Sequence, residues 1–279
     1  MLFSNTSVMN FEGALRGMRN PMNSWAKSDS EFGILCEHEN DETIYEVSNK
    51  WAAYELQNAT FATEEDYDKE FDRITSERYG WLWQQGVALI GIDHHHTLDL
   101  IGPNDMDLCR RLINGGPEHR KFLRQIFVSV DITAPLYWFK EFDTYRIGVT
   151  ENSTSTMHKL ASTPITLECF ETDDYDDSIT YDYPTEGSII NMPVDSFVED
   201  LIVDLEALRQ KYNETKDKRY WKELIRWLPN GWLQTRTVTM NYENLRSMYH
   251  QREHHKLTEW HAFCDWVKTL PYAQELIIG

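Results

Sequence analysis

Residues 138–158, WFKEFDTYRIGVTENSTSTMH, join an aromatic helical pattern to a segment almost free of apolar side chains. Phe139, Phe142 and Arg146 have helical spacing, so the two rings can pack on a core while the Arg lies at the edge of the same face. Gly148 is placed to end this helix. The hydroxyl and amide groups that follow suit recognition of a phosphate-bearing ligand, with Arg146 as the cation. From these residues alone, a helix end followed by an ordinary polar loop is the favoured interpretation.

The composition indicates a globular chain with an acidic surface. With 279 residues, 41% of them hydrophobic, the chain can bury a full core. Its formal net charge of −19 argues against general nucleic-acid or anionic-membrane binding, since both need a basic footprint. A nucleotide ligand needs only a local cluster of Arg and Lys. The four cysteines form no CxxC pair, and no signal peptide or membrane span is visible. These features predict a soluble cytoplasmic protein with reduced thiols.

Helical and strand patterns alternate along the chain. Strands are expected in three segments: 7–11, 81–92 (WLWQQGVALIGI) and 122–133 (FLRQIFVSVDIT). Helices are expected at 11–19, as one or two surface helices within 37–79, at 105–115, in the helix opened by Ala134-Pro135, and at 195–215, 219–227, 240–255 and 257–270. The acidic stretch 171–187, ETDDYDDSITYDYPTEG, is expected to be a solvated loop.

A second polar pattern lies near the C-terminal end. On a helix beginning at Asn241, the side chains of Arg246, His250 and His254 fall on one stripe. Such a stripe is costly on a core-bound helix unless it lines a cavity or meets acidic partners. Two interpretations stay open: a solvent-facing stripe, or an anion-binding wall that meets the segment from Thr144 to Ser155.

Metal or nucleophile chemistry is the weaker interpretation wherever it arises. His94-His95-His96 has no companion Cys or HExxH motif, so a surface or interface loop is favoured over a metal site. The acidic stretch lacks the glycine and distal glutamate of an EF-hand loop. Cys169 and Cys264 have no flanking signature of a nucleophile. No metal site is predicted.

Thr144-Tyr145-Arg146, followed by Gly148, Asn152 and Ser155, is similar to a known pattern. The flavin-dependent thymidylate synthases, or alternative thymidylate synthases, carry Arg-His-Arg there, followed by a segment with Asn, Glu and Ser. The chain resembles a divergent member of that family. Further segments resemble the family in the same order: residues 9–20, Leu112–Gly115 with His119, Phe122 and Arg124, then Leu228-Pro229, Met240-Asn241, Asn244–Ser247, Arg252 and Glu259-Trp260.

The resemblance implies an α/β (α+β) fold, in which a mixed, largely antiparallel sheet packs with long helices. It implies one domain over residues 1–279, with a charged helical insertion at about 37–80 and an acidic insertion at about 168–188. Enzymes of the family are homotetramers that bind FAD between subunits. They methylate dUMP with carbon from methylenetetrahydrofolate and hydride from NADPH.

The resemblance also implies roles for individual residues. Ser155 and Arg252 are the implied catalytic residues. The implied FAD-binding residues are Thr144, Tyr145, Arg146, Asn152, Arg124, Asn244 and His250, and the implied dUMP-binding residues are Arg146, Ser155, Arg246 and Arg252. Thr144 and Tyr145 replace the family's first Arg and its His, so the alternative is a non-catalytic or repurposed nucleotide-binding protein on the same scaffold.

Overall fold

The computed structural model describes residues 1–36, 40–90 and 95–279. Its strands are β1 (Leu2–Met9), β2 (Glu31–Cys36), β3 (Val87–Ile90), β4 (His95–Leu100), β5 (Phe127–Pro135), β6 (Thr150–Ser153), β7 (Thr180–Thr185), β8 (Ser188–Pro193) and β9 (Leu233–Asn241). Its α-helices are α1 (Phe11–Arg19), α2 (Asn40–Leu56), α3 (Glu64–Gly86), α4 (Pro103–Asn114), α5 (Leu136–Phe142), α6 (Thr156–Lys159), α7 (Val194–Thr215), α8 (Lys218–Arg226), α9 (Tyr242–Arg252) and α10 (Thr258–Lys268).

The strands of the described residues form three sheets. One has four strands in the order β1-β5-β9-β6, the second has the order β2-β4-β3, and the third is the hairpin β7-β8. The second and third sheets are antiparallel throughout. This mixture of largely antiparallel sheet and long helices confirms the expected fold class.

The chain divides into two compact units. Unit 1 comprises residues 1–6, 130–146 and 150–238, and unit 2 comprises residues 7–129, 147–149 and 239–279. The single-domain organisation with two insertions stays a prediction. Within the described residues, no helix combines the length and the apolar character needed to cross a membrane.

Strand β5 forms where apolar residues alternate in the sequence. Val128, Val130, Ile132 and Ala134 are fully buried, and the residues between them are partly exposed. Since successive side chains of a strand point to opposite faces, this pattern places one face of β5 in the core. The strand predicted for this segment is confirmed.

The charged region after β2 forms two packed helices, α2 and α3. Ala52, Leu56 and Ile74 make a small core between them, with Phe61 and Phe71 at its side. Helix α3 begins at the N-cap Thr63, whose hydroxyl accepts a hydrogen bond from the amide of Asp66. The prediction of surface helices with a buried apolar side is confirmed.

Helix α3 extends further than expected, to Gly86. The strand predicted for 81–92 is therefore wrong in its first half, although Val87–Ile90 does form β3. The ring of Trp81 packs edge-on against Trp51 and Tyr272, with centroids 5.4 and 5.5 Å away. These contacts keep the aromatic segment helical despite its β propensity.

In unit 1, a second small core lies beside α7 and α8, whose predicted positions are confirmed. Leu160, Ile165, Leu205 and Leu224 are buried there. The acidic stretch 171–187, by contrast, is only partly a loop, because residues 180–193 form the hairpin β7-β8. Its alternation of Tyr181 and Tyr183 with polar residues is a strand pattern that the density of acidic residues obscured.

The last elements lie in unit 2. The aromatic rings of Phe11, Tyr242 and Tyr272 are buried, and the ring of Phe11 contacts each of the other two edge-to-face. Helix α9 ends at Arg252, so the helix predicted to reach His255 is too long and His254 lies outside it. A π-helix at Gln274–Ile278 was not expected.

Candidate functional site

The predicted phosphate-binding segment begins where α5 ends. Trp138, Phe139 and Phe142 are buried, and the rings of Trp138 and Phe142 stack with centroids 5.0 Å apart. The amide of Asp143 then donates to the carbonyl of Phe139 over 2.7 Å and closes the last turn. The helix predicted to carry Arg146 and to end at Gly148 is therefore wrong. The amides of Thr144 and Tyr145 bond to the carbonyls three residues back, in a tighter turn than an α-helix.

Arg146 lies on an exposed turn after α5. Its Nε donates to the carbonyl oxygen of Asp143 at 3.1 Å. Within the described ranges, the terminal guanidinium nitrogens of Arg146 make no hydrogen bond or ion pair, so they can receive an anionic ligand. Thr144 is exposed and its hydroxyl donates to the carbonyl of Glu141, while Tyr145 is half-buried.

The polar residues after this turn are not a loop as favoured from sequence, because Thr150–Ser153 forms strand β6 beside β9. Asn152 lies exposed on this strand. The amide of Thr154 donates to the carbonyl of Thr235 at 2.9 Å. Backbone pairing with β9, which local sequence does not reveal, makes this polar segment a strand.

Arg236 of β9 bonds to one residue before the Arg146 turn and to one residue after it, and all three belong to unit 1. Its Nη1 donates to Asp143 Oδ1 at 2.7 Å and to Glu151 Oε2 at 2.8 Å. Its guanidinium also lies 3.9 Å from the centre of the Phe139 ring. Gln234 lies two residues before Arg236, on the same face of β9, and its side-chain amide donates to the carbonyl of Thr154. Neither Arg236 nor Gln234 was among the predicted site residues. The available signal was that both occupy the same alternate positions of the strand as the buried Val238 and Met240.

Ser155 lies at the mouth of a small cavity in unit 1. Its hydroxyl accepts a hydrogen bond from the amide of His158 at 3.2 Å and caps the short helix α6. The cavity has a volume of about 180 Å³, and Lys159 is the cation in its wall. The other lining residues are Thr154, Thr156, Leu160, Thr163, Cys169, Trp232 and Leu233. Hydroxyls, one ammonium and one indole ring suit a small polar group such as a phosphate or a pyrimidine ring.

Asn244, in unit 2, is engaged with the main chain. Its Oδ1 accepts from the amide of Asn241, whose side chain accepts in return from the amide of Asn244, which makes a capping box at the start of α9. The Nδ2 of Asn244 donates to the carbonyl of Ile147 at 2.7 Å. Gly148 beside it has φ +79°, and a Cβ there would lie 3.0 Å from both Asn side chains. Asn244 thus fixes a turn that only glycine fits without strain.

Arg246 points to the C-terminal segment of unit 2. Its Nη1 donates to the carbonyl oxygens of Ile277 at 2.6 Å and Gly279 at 2.9 Å. Partial burial, and then the charge of Arg120, lower the pKa of Arg246. Arg120 itself pairs with Glu243 at 2.9 Å. Arg246 therefore has one terminal nitrogen occupied by the backbone and could offer only the rest of its guanidinium to a ligand.

The other predicted site residues of unit 2 lie on α9 and on a 3₁₀ turn that packs against it. Arg124 is exposed in a 3₁₀ turn at Lys121–Gln125. His250 is exposed on α9, 4.0 Å from the carboxylate of Glu253. The guanidinium of Arg252 lies 4.7 Å from the centre of the Trp260 ring. The stripe of Arg246 and His250 exists as predicted, but His254 is not part of it.

Metal ligands do not cluster in the part of the chain described here, where no group of three or more His, Cys, Asp or Glu side chains could hold an ion. This statement does not cover the histidine run, because His94 and the side chains of His95 and His96 lie outside the described residues. In the acidic stretch, the Asp176 carboxylate accepts from the amide and the hydroxyl of Ser178. That carboxylate thus forms a local Asx-type turn with Ser178.

The fold is that of the flavin-dependent thymidylate synthases. The structure is similar to ThyX from Helicobacter pylori in complex with FAD and dUMP, with a TM-score of 0.54 and 12% identity over 99% of this chain and 98% of that one. A second structure of the same enzyme with FAD and dUMP gives 0.54 and 13%, covering 99% and 97%. The UMP/dUMP methylase PolB from Streptomyces cacaoi, bound with 5-Br UMP, gives 0.45 and 14%, covering 62% and 82%.

Comparison of the sequence with known families and proteins gives no match: no family model matches the chain, and no curated protein matches it. The likeness to ThyX, at 12–13% identity, is therefore one of fold.

Proposed function

We propose that the protein binds dUMP or a related pyrimidine nucleotide and methylates its base as a flavin-dependent enzyme. FAD would be the cofactor, with methylenetetrahydrofolate and NADPH as co-substrates. The observation that carries the proposal is the fold likeness to an enzyme solved with FAD and dUMP, which extends over 99% of this chain. The proposal includes a homotetramer in the cytoplasm.

The donor groups of unit 1 support a phosphate-bearing ligand. Arg146 offers a guanidinium fork, Asn152 an exposed amide, and Lys159 an ammonium in the cavity at Ser155. Arg is the residue best suited to hold phosphate oxygens in pairs, and hydroxyls add orientation. In the proposed complex Arg146 binds a phosphate of FAD or dUMP, and Thr144 and Tyr145 lie beside it.

The size of the cavity supports a composite site. At about 180 Å³ it can hold a phosphate group or a pyrimidine ring, whereas whole drug-sized ligands occupy about 300–1,000 Å³. A complete nucleotide with a flavin would therefore need further walls. In the proposed homotetramer, other subunits supply those walls, with their Arg124, Asn244, Arg246, His250 and Arg252 among the residues that bind FAD or dUMP.

Each group then has a distinct proposed task. Bound FAD would supply the hydride chemistry. The chain's own residues would hold and orient the ligands: the hydroxyl of Ser155 would bind the nucleotide, and Arg252 would place positive charge where the uracil carbonyl becomes negative. Stabilisation of developing charge is where enzymes of this kind gain most. The cation–π contact with Trp260 would fix the direction of Arg252.

One observation favours the alternative of a nucleotide-binding protein without catalysis. Thr144 and Tyr145 carry no positive charge where the family has Arg and His, and the Thr144 hydroxyl is bonded to the carbonyl of Glu141 in α5. The site thus keeps one cation of the motif, Arg146, for the cofactor phosphates. A pocket that binds dUMP but not FAD would result.

Ligand titration of the full chain separates these functions. FAD binding is followed by flavin fluorescence, dUMP binding by calorimetry, and methylation by the appearance of dTMP when both co-substrates are added. Arg146→Ala should weaken binding by at least about tenfold, and Arg219→Ala is the matched control, since Arg219 is exposed in the same unit and pairs with Asp217. Binding of dUMP without FAD would select the alternative, and binding of neither ligand would refute both.

A further inference from the structure

The hairpin β7-β8 has two open edges in the monomer. Strands β7 and β8 pair from Thr180↔Pro193 to Thr185↔Ser188, around a two-residue loop of Glu186 and Gly187. Gly187, the second residue of this loop, has φ +91°, a conformation that glycine adopts without strain. Within the described residues, this sheet contains no third strand.

The hydrogen-bond pattern shows which backbone groups face outward. Next to the last strand pair, the amide of Val194 donates to the carbonyl of Ile179 at 2.8 Å. Bonded and non-bonded pairs alternate in an antiparallel ladder. The pairs Asp182↔Asn191 and Pro184↔Ile189 are therefore non-bonded, and the backbone groups of these residues point away from the hairpin.

The two edges consequently differ. On the edge of β7, Pro184 has no N–H and Asp182 carries a charge, which are two features that block strand addition. On the edge of β8, Ile189 and Asn191 each present a backbone N–H and C=O that bond to no other described residue. The sequence of Ser188–Met192, SIINM, contains no charged residue.

The open edge is also apolar and exposed. Ile189 is 70% exposed and Ile190 41%, and Tyr183 across from Ile190 is 48% exposed. An isolated two-stranded hairpin is marginally stable in water, and exposed apolar strand edges are sites of pairing with another chain.

We infer that β8 is a self-association surface, at which two copies of the chain join by antiparallel pairing of their β8 edges. A two-fold axis at Ile190 places each Ile189 opposite an Asn191 and allows about four main-chain hydrogen bonds. The product is a continuous four-stranded sheet. Since the outer β7 edges stay blocked by Pro184, assembly through this surface stops at two copies.

The charge distribution favours a second copy over a different partner. The chain has a formal net charge of −19, so two copies repel each other at most surfaces. Ser188–Met192 is free of charge, so pairing there brings no like charges face to face. A basic partner would find no acidic residue on this strand to attract it.

Proline substitution tests the edge directly. Asn191→Pro removes an outward N–H without removing a hydrogen bond of the hairpin, so it should raise the dissociation constant at least about tenfold, as sedimentation velocity of the full chain would show. Asp182→Pro is the control, because Asp182 is the cross-strand partner of Asn191 and its N–H also points outward, but from the edge left unused. A wild-type chain that is monomeric at every concentration would overturn the proposal, as would an assembly that both variants leave intact.

Disulfide trapping tests the position of the axis. Ile190→Cys should form a covalent dimer on mild oxidation, because residues opposite each other in a non-bonded pair have Cα atoms about 4.5 Å apart. Tyr183→Cys is the control, since Tyr183 pairs with Ile190 and its side chain lies on the same face of the hairpin but on β7. Equal cross-linking of the two variants, or none in either, would refute the proposed axis.

Discussion

Asp105 and Asp107 lie two residues apart on α4 and form ion pairs of opposite character. Asp105 is fully buried and pairs with Arg19, whose side chain is 5% exposed. The same carboxylate accepts hydrogen bonds from the hydroxyls of Ser28 and Ser30. The pair of Asp107 with Arg111 is solvent-exposed. A buried charge destabilises the fold when any of its partners is removed, whereas water screens an exposed ion pair and makes its contribution to stability small.

Asp105→Asn should therefore lower the free energy of unfolding by about 3–5 kcal/mol, because it leaves the guanidinium of Arg19 buried and uncompensated. Asp107→Asn, the same change on the same helix, should cost less than about 1 kcal/mol. Urea unfolding followed by circular dichroism measures both. Similar midpoints for the two variants would contradict a structural role for the buried pair.

The ionisation of Asp99 makes the stability of the fold depend on pH. Burial, with a smaller contribution from the charge of Glu12, raises the pKa of Asp99 from 3.8 to about 6. A carboxyl whose pKa rises on folding favours the folded state only in its protonated form. Its destabilising effect is absent below pH 3.8, grows between the two pKa values and is complete above about pH 6.

Asp99→Asn, a close mimic of the protonated acid, should therefore stabilise the protein at pH 8 by up to about 3 kcal/mol. The gain should vanish well below pH 3.8, where Asp99 is protonated in both states. Thermal unfolding of wild type and variant across this range measures the difference, and the low-pH data are the internal control. A gain that does not change with pH would mean that packing, not ionisation, is responsible.

At the scale of elements, Arg236 links α5 to β6 within unit 1. Arg236→Met replaces the guanidinium over the Phe139 ring with an apolar side chain of similar length and removes the bonds to Asp143 and Glu151. Because Arg236 is only 14% exposed, we expect a loss of about 1–3 kcal/mol and faster amide exchange in residues 143–156.

The matched control for this change is Arg226→Met, which removes the exposed pair with Glu223 in the same unit. It should change neither the stability by more than about 1 kcal/mol nor the exchange of residues 143–156. Hydrogen exchange with mass spectrometry reads both variants. Unchanged exchange of this segment in Arg236→Met would show that β9 backbone pairing alone holds it.

Elements with a strong internal period could be predicted from sequence, and elements defined by distant partners could not. Helix α7 and strand β5 carry their periodicity over their whole length. Strand β6, with the sequence TENS, has no apolar residue and exists through pairing with β9. For the candidate site, sequence supplied Arg146 and Ser155, but Arg236 bonds to Asp143 and Glu151, which lie 93 and 85 residues away in the chain. Its role depends on the fold and is invisible in local sequence.

At the scale of the whole molecule, the dominant feature is the acidic charge. A formal net charge of −19 on 279 residues destabilises the compact state through repulsion, apart from the ion pairs that it forms locally. Salt screens the long-range repulsion more than it weakens short buried pairs such as Arg19–Asp105. The two effects of salt on stability therefore have opposite signs, and their balance can be measured.

We expect repulsion to dominate at pH 7, so that an increase from 0.02 to about 0.3 M NaCl raises the melting temperature by roughly 2–4 °C. At pH 5, close to the calculated isoelectric point of 4.9, the net charge is near zero and the same salt should have little effect. Scanning calorimetry at both pH values provides the measurement and its control. A melting temperature that falls with salt at pH 7 would mean that the ion pairs stabilise the fold more than the excess acidic charge destabilises it.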